Sequence, residues 1–430
     1  MKVKNNKNIA KSKRLKNKKP KETVDLVFDM PLDSSEKALS TKSNKWKKAL
    51  GILLFIAGLS GILYFSDIGE RSIKELEHQF SGRISTTDGY YVGDTDFGVF
   101  SGRGVLELDS GKSLSGIWNN GVLSGKVILE FEGLGKYEGD CIDSVRSGRG
   151  TFVWENGDFY EGEWSRDKIN GTGVMTWADG SVYTGEFKNN KLSGEGILTF
   201  NDKHKYSGSF VDGKFEGIGL LEFANGDKYE GEWSSNQFSG DGVFKWNNGG
   251  SYTGSFSNNH FYGEGDLQIP NGAYLKGTFN NNVLIEGIGF IKNENASYTF
   301  TYKEGDVVNA EIEFADKSKY DGSYSDNTFN GNGVFTYKNG DSYTGNFKNG
   351  LRNGEGIYTW KESGAKYEGN WLNDNMNGHG VYYYTLIPGA YKLDGNFKDN
   401  KPEGKCTFYQ TKTKSYITYW TDGKCTKLEE

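Results

Sequence analysis

A five-residue pattern, Tyr-x-Gly-x-aromatic, returns along this chain every 23 residues over its first ten copies and every 22 to 26 thereafter, and it constrains the fold more than any other feature. It occurs twice in "YEGEWSRDKINGTGVMTWADGSVYTGEF", residues 160–187. The copies start at 91, 114, 137, 160, 183, 206, 229, 252, 275 and 298, then at 320, 343, 367, 393 and 416. Twelve of the fifteen first positions are Tyr and three are Leu (Leu114, Leu275, Leu393). Thirteen have Gly two residues on, and thirteen have an aromatic four residues on. Most also carry Gly-x-Gly from offset eleven, as in Gly171/Gly173, Gly194/Gly196 and Gly217/Gly219. Such periodicity fixes the architecture before any local propensity does.

Each unit reads as two strands. Tyr160, Gly162 and Trp164 share one face because strand side chains alternate, and Glu161 and Glu163 point to the other. A loop of about six residues is expected before the second strand, "GTGVMTW". Asn156-Gly157, Asp179-Gly180, Asn225-Gly226, Asn248-Gly249 and Asn339-Gly340 then predict two-residue hairpin turns, which require positive φ. Gly at offset two weakens a strand, so its use must be space. Without a side chain there, the rings at offsets zero and four can lie over the sheet and pack on rings of adjacent units, at about 0.5–1.5 kcal/mol per pair beyond area burial.

The repeat-defining positions are Tyr137 and Gly139; Tyr160, Gly162 and Trp164; Tyr183, Gly185 and Phe187; Tyr206, Gly208 and Phe210. They continue as Tyr229, Gly231 and Trp233; Tyr252, Gly254 and Phe256; and Tyr320, Gly322 and Tyr324. Tyr343, Gly345 and Phe347, then Tyr367, Gly369 and Trp371, complete the set. On these residues the chain resembles the MORN repeat (membrane occupation and recognition nexus) over about 91–430. The resemblance implies an all-β fold: an elongated, twisted antiparallel β-meander, one hairpin per unit, with no conventional globular core. Fifteen units give about thirty strands, hence roughly 140 Å at about 4.8 Å per strand.

Some units depart from the pattern. The first has Thr95 and the third Cys141 where the second aromatic belongs, and the unit at 298 has Phe300 for Gly and Asn309 and Glu311 for Gly-x-Gly. A bulge or bend is expected near 275–320, with a division of the ribbon into two arms as one outcome. The last unit, from Tyr416, is expected to stop after one strand and a charged cap, "TDGKCTKLEE".

Composition agrees with many short strands: 61 Gly, only 5 Pro, and 10 Trp, 26 Tyr and 27 Phe exclude collagen and disordered classes. Charge is divided. Residues 1–48 hold 15 Lys/Arg against 5 Asp/Glu, a balance of +10, which leaves −16 for residues 49–430 of the chain total of −6. Between them lies "ALGILLFIAGLSGILYF", residues 49–65, without a charge. It includes Ala49, Leu50, Leu53, Leu54, Phe55, Ile56, Leu59, Ile62, Leu63 and Phe65. As a helix it spans roughly 26 Å, enough for a bilayer. Nearly fifty preceding residues and the lack of an Ala-x-Ala site argue against a cleaved signal peptide, so an uncleaved transmembrane anchor is expected. Lys42, Lys45, Lys47 and Lys48 on its N-terminal side place residues 1–48 in the cytoplasm, as a basic disordered arm, and the repeats outside. Residues 66–90 read as a stalk, with Ile73, Leu76 and Phe80 at the spacing of a short helix. In the arm, "TVDLVFDMP" (23–31) is either a docking motif or a chance apolar cluster.

Nothing in the repeats converges for catalysis. His204 and His260 fall about five strands apart, roughly 24 Å on a ribbon. The Gly-x-Gly stretches lead into strands rather than the helix N-termini that phosphate loops need. No Cys or His spacing suggests a metal, and Cys406 and Cys425 do not fall opposite each other on neighbouring strands. No enzyme activity and no cofactor are expected. The leading expectation is a single-pass, membrane-anchored protein-interaction scaffold at the cell envelope, with protein partners. Glycan binding, by sugar stacking on partly open rings, is the alternative, and anionic lipid binding by the repeats comes third. The balance of −16 outside the arm disfavours polyanions, nucleic acid included.

Overall fold

The computed structural model describes residues 83–429, and the basic arm, the proposed membrane span 49–65 and the stalk helix lie outside them. The described chain is one antiparallel meander of 31 strands, from β1 (Ile84–Ser85) to β31 (Lys424–Glu429). Each strand between these two pairs with the one before and after it in sequence, as β8 (Phe159–Ser165) does with β7 (Val145–Trp154) and β9 (Lys168–Thr176). Among the described residues no helix is long and apolar enough to cross a membrane.

Both connections differ from the sequence expectation. β8 and β9 are joined by two residues, Arg166 and Asp167, whose φ angles are 51° and 63°. The expected six-residue loop is therefore mostly strand. The same two-residue turn recurs at Asn189-Asn190, Ser235-Asn236, Asn258-Asn259 and Asn281-Asn282. Both central residues are left-handed, a state that Asn and Asp tolerate best after Gly and that matches strand twist.

The Asn-Gly pairs close the other connection, from β9 to β10 (Val182–Lys188), and they form a three-residue loop instead of a two-residue one. Trp177 N–H donates to the Ser181 carbonyl, and Gly180 N–H donates to the Trp177 carbonyl, both at 2.9 Å. Only Gly180 is left-handed (φ 95°). Asp179 instead accepts a hydrogen bond from Ser181 N–H at 2.7 Å, and Asn156 does the same for Asp158. This is a type I turn closed by a glycine bulge, which uses the same Asn/Asp-Gly residues as the tighter turn.

The terminal unit also differs. β30 (Ser415–Thr421) and β31 form a complete hairpin around Asp422-Gly423, so Lys424–Glu429 is a strand and not a loose cap. Pairing continues through 275–320, where β20 (Ala296–Lys303) joins β19 (Val283–Lys292) and β21 (Asp306–Phe314).

Candidate functional site

The repeat-defining residues form a column inside the sheet's packed face. Tyr91, Tyr137, Tyr160, Tyr183, Tyr206, Tyr229, Tyr252, Tyr320, Tyr343 and Tyr367 are all fully buried. Each donates its hydroxyl to the backbone carbonyl three residues on, as Tyr160 does to Glu163 (3.0 Å) and Tyr229 to Glu232 (2.8 Å). That carbonyl is available because the β8–β9 register shifts between Gly162 and Trp164, leaving Glu163 out of the ladder with β9.

Glycine makes the path. Gly139, Gly150, Gly162, Gly173, Gly185 and Gly196 face one another across successive strands, and the row continues through Gly208 and Gly219 to Gly231. A Cβ on Gly173 would sit 2.5 Å from the Tyr160 hydroxyl, and one on Gly162 would sit 2.5 Å from the Gly173 Cα. The ring lies flat where two side chains are missing. At β20–β21 the row is interrupted, and Phe300 faces Ala310.

Aromatics at offset four close over the tyrosines. Trp164, Phe187, Phe210, Trp233, Phe256, Phe347 and Trp371 are buried, while Tyr324 is half-buried. Tyr183 meets Phe187 of its own unit at 5.1 Å and Phe210 of the next at 5.0 Å, both edge-on. Trp164 and Trp233 also donate Nε1–H to the Gly150 and Gly219 carbonyls (each 3.1 Å).

Sequence reasoning missed one ring position, offset nine, because it fell in the expected loop. Phe215, Phe238 and Phe261 stack on Tyr206, Tyr229 and Tyr252 at 3.7–3.8 Å. Their 23-residue spacing, with Ile169 and Leu192 before them, was the available signal. Two units place arginine there. Arg146 lies 4.5 Å over Trp164 with Nε 3.0 Å from Asp167, and Arg352 lies 4.3 Å over Trp371 with Nε 3.2 Å from Asp374. Arg146 packs beside the Cys141 that replaces the expected ring.

The opposite face carries the charges. Glu186, Glu195, Glu232, Asp241 and Glu264 fall in one column, interleaved with Ser and Thr. Ser255 Oγ donates to Asp241 (2.8 Å), and Thr172 Oγ1 to Glu163 (2.9 Å). In the earlier units bases enter this column, and the Lys126 hydrogen bond holds the Asp140 carboxyl below its usual range. A neighbouring row alternates β-branched apolar with polar residues: Val174, Thr184, Ile197, Ser207. Among the described residues the three histidines do not meet: His379 pairs with Asp394 (3.1 Å), His204 lies beside Asp202, and His260 contacts the Asn258 carbonyl. Among the described residues no group of three or more His, Cys, Asp or Glu is placed to hold a metal.

No curated protein sequence matches the chain. Among solved structures, the SAS-4 (dCPAP) TCP domain of Drosophila melanogaster aligns at 11% identity and TM-score 0.24, covering 40% of this chain and 93% of that one. Virginiamycin B lyase from Staphylococcus aureus aligns at 8% identity and TM-score 0.12, covering 70% and 82%. The MORN repeat family model matches residues 137–159, 160–182, 183–205, 206–228 and 229–251, and again 320–342, 343–364, 367–385 and 394–412. Nine stretches of this chain are therefore MORN repeats, five in one run and four in a second.

Proposed function

We propose that the chain is a non-catalytic protein-interaction scaffold, anchored in the membrane by residues 49–65 and presenting its repeats at the cell envelope. One observation supports the scaffold reading above others. The tyrosine column and most of its ring partners are spent inside the packed face, so the surface left to a partner is the opposite one. There, half-exposed β-branched residues such as Ile197 and Ile357 recur on every second strand or multiples of it, roughly 10 Å apart at closest. A long row of that kind suits an extended protein partner, as repeat surfaces commonly do.

Affinity capture with the full chain against its Ile197→Lys/Ile357→Lys variant tests the reading. Both side chains are half-exposed, and unchanged circular dichroism of the variant checks that its fold is kept. Loss of the captured proteins in the variant supports the scaffold, and identical capture removes this face from it. Protease shaving of intact cells tests the anchor: repeats that stay protected would place them inside.

A second reading, glycan binding, draws on another set of rings. Tyr358, Trp360, Tyr382 and Tyr384 form a half-buried ladder with successive centroids 4.7, 5.3 and 4.9 Å apart. Retention of purified wall glycan by the wild-type chain, lost in Trp360→Ala, would favour it over the scaffold.

A further inference from the structure

The charge-bearing face is not uniform. Across β3 (Val99–Leu108) to β8 one row reads Glu107, Ser113, Glu130, Lys136, Val153, Phe159, each residue opposite the next. It begins acidic and ends apolar. Glu132 and Glu155, from successive loops, stand along its side, and Glu138 lies in the adjacent row. Together they line a groove of about 700 Å³ that contains five glutamates and a single lysine. Farther along, the same row reads Lys205, Glu222, Lys228 and Lys245, with Glu222 paired to Lys228 at 2.7 Å, so the acidic surplus belongs to the first units.

Lys136 shows how this lining receives an ammonium group. Its Nζ lies between Glu130 (3.5 Å) and Glu138 (3.1 Å). Glu107 is held by the Ser113 hydroxyl (2.8 Å), and Glu155 by Gly133 N–H (3.1 Å), so both are oriented without being neutralised. Next to these carboxylates Val153 is 45% exposed, and Phe159 and Trp154 are half-buried. The lining thus asks for cationic side chains and an apolar one in alternation, spread over a width of roughly 24 Å across six strands.

We infer that this groove is a docking site for an extended basic peptide segment of a partner protein, with lysine or arginine side chains set among Glu107, Glu130, Glu132 and Glu155 and an apolar side chain against Val153 and Phe159. The inference rests on the scaffold reading only in taking a protein as the occupant. Charge complementarity selects the partner: exposed ion pairs are individually weak, so several must act together and the affinity must depend on salt. The net charge of −16 outside the N-terminal arm draws the same class of ligand toward this surface.

The test is fluorescence anisotropy of the full chain with a short labelled peptide alternating lysine and leucine. Binding should weaken about tenfold in Glu107→Gln/Glu132→Gln and fall steeply with added salt. Glu195→Gln/Glu264→Gln, on the same face but outside the groove, should leave it unchanged. Equal loss in both double variants would reduce the effect to the general field and overturn the groove. So would equal binding of a peptide with glutamate in place of lysine, or no binding at all. These outcomes are independent of capture from extracts, which bears on the scaffold reading alone.

Discussion

Tyr160 illustrates what one residue contributes. Its ring covers Gly162 and Gly173, its hydroxyl reaches the carbonyl that the bulge frees, and its edge meets Phe187 of the next unit at 5.2 Å. Gly173→Ala puts a methyl group into that ring and should destabilise the local hairpins by about 1–3 kcal/mol, the usual cost of overpacking. Amide hydrogen exchange in β8 and β9 reads the effect, and unchanged protection there would show that the ring is not held against the glycine pair. Tyr160→Phe keeps the ring and removes one hydrogen bond, so a smaller loss of about 0.5–1.5 kcal/mol is expected by the same measurement. Burial also lifts the phenol pKa, to about 12 at Tyr91, Tyr183, Tyr320 and Tyr367, and raises it at Tyr160, Tyr206 and Tyr229 as well. Each of these groups holds its proton more tightly folded than unfolded. At Tyr91, Tyr183, Tyr320 and Tyr367 the contribution to stability is thus whole below pH 10, the ordinary phenol value, and is lost as pH rises through about 12. The phenolate absorbance of the buried tyrosines, beyond that of exposed ones such as Tyr262, should appear together with the loss of circular dichroism on alkaline titration. Ionisation of all 26 tyrosines near pH 10 with the sheet intact would contradict the burial.

At the scale of the hairpin, the turns hold successive units together. Asn236, at φ 70°, accepts a hydrogen bond from Phe215 N–H of the preceding hairpin at 2.7 Å, and Asn190, Asn259 and Asn282 repeat the contact on Ile169, Phe238 and Phe261. On the opposite edge, Asp227 accepts from Asn247 N–H (2.7 Å) and Asp341 from Lys361 N–H (2.8 Å). Asn236→Gly keeps the left-handed backbone and loses the acceptor, at about 1 kcal/mol. Asn236→Val loses both and should cost about 1–3 kcal/mol more. Exchange at the Phe215 amide separates the two variants, and equal protection in wild type and Asn236→Gly would remove the side chain from the account.

Over the whole sheet, each hairpin touches mainly its neighbours, so stability should be close to a sum of units and interfaces. Excising residues 183–205 removes β10 and β11 (Lys191–Thr199), and it brings Gly173 against Gly208 with every column still in phase. That chain should fold with proportionally less sheet by circular dichroism. Excising a half-unit should not, because it reverses which face each following side chain occupies. Loss of structure in the full-unit deletion would mean that contacts beyond nearest neighbours dominate.

The sequence by itself determined the number of strands to within one, the hairpin repeat and the face on which the rings lie. Those depend on alternation and spacing, which are local and are printed in every unit. Only the tertiary structure decided which connection is tight, since Asn-Gly serves a two-residue turn and a three-residue loop equally, and the choice depends on how strand ends meet. It also decided the role of offset nine, where a residue such as Phe238 reveals itself only by what it stacks on in space. The acidic groove was hidden for the same reason: Glu107, Glu130 and Glu155 are scattered over three units in sequence, and strand register alone assembles them around one row.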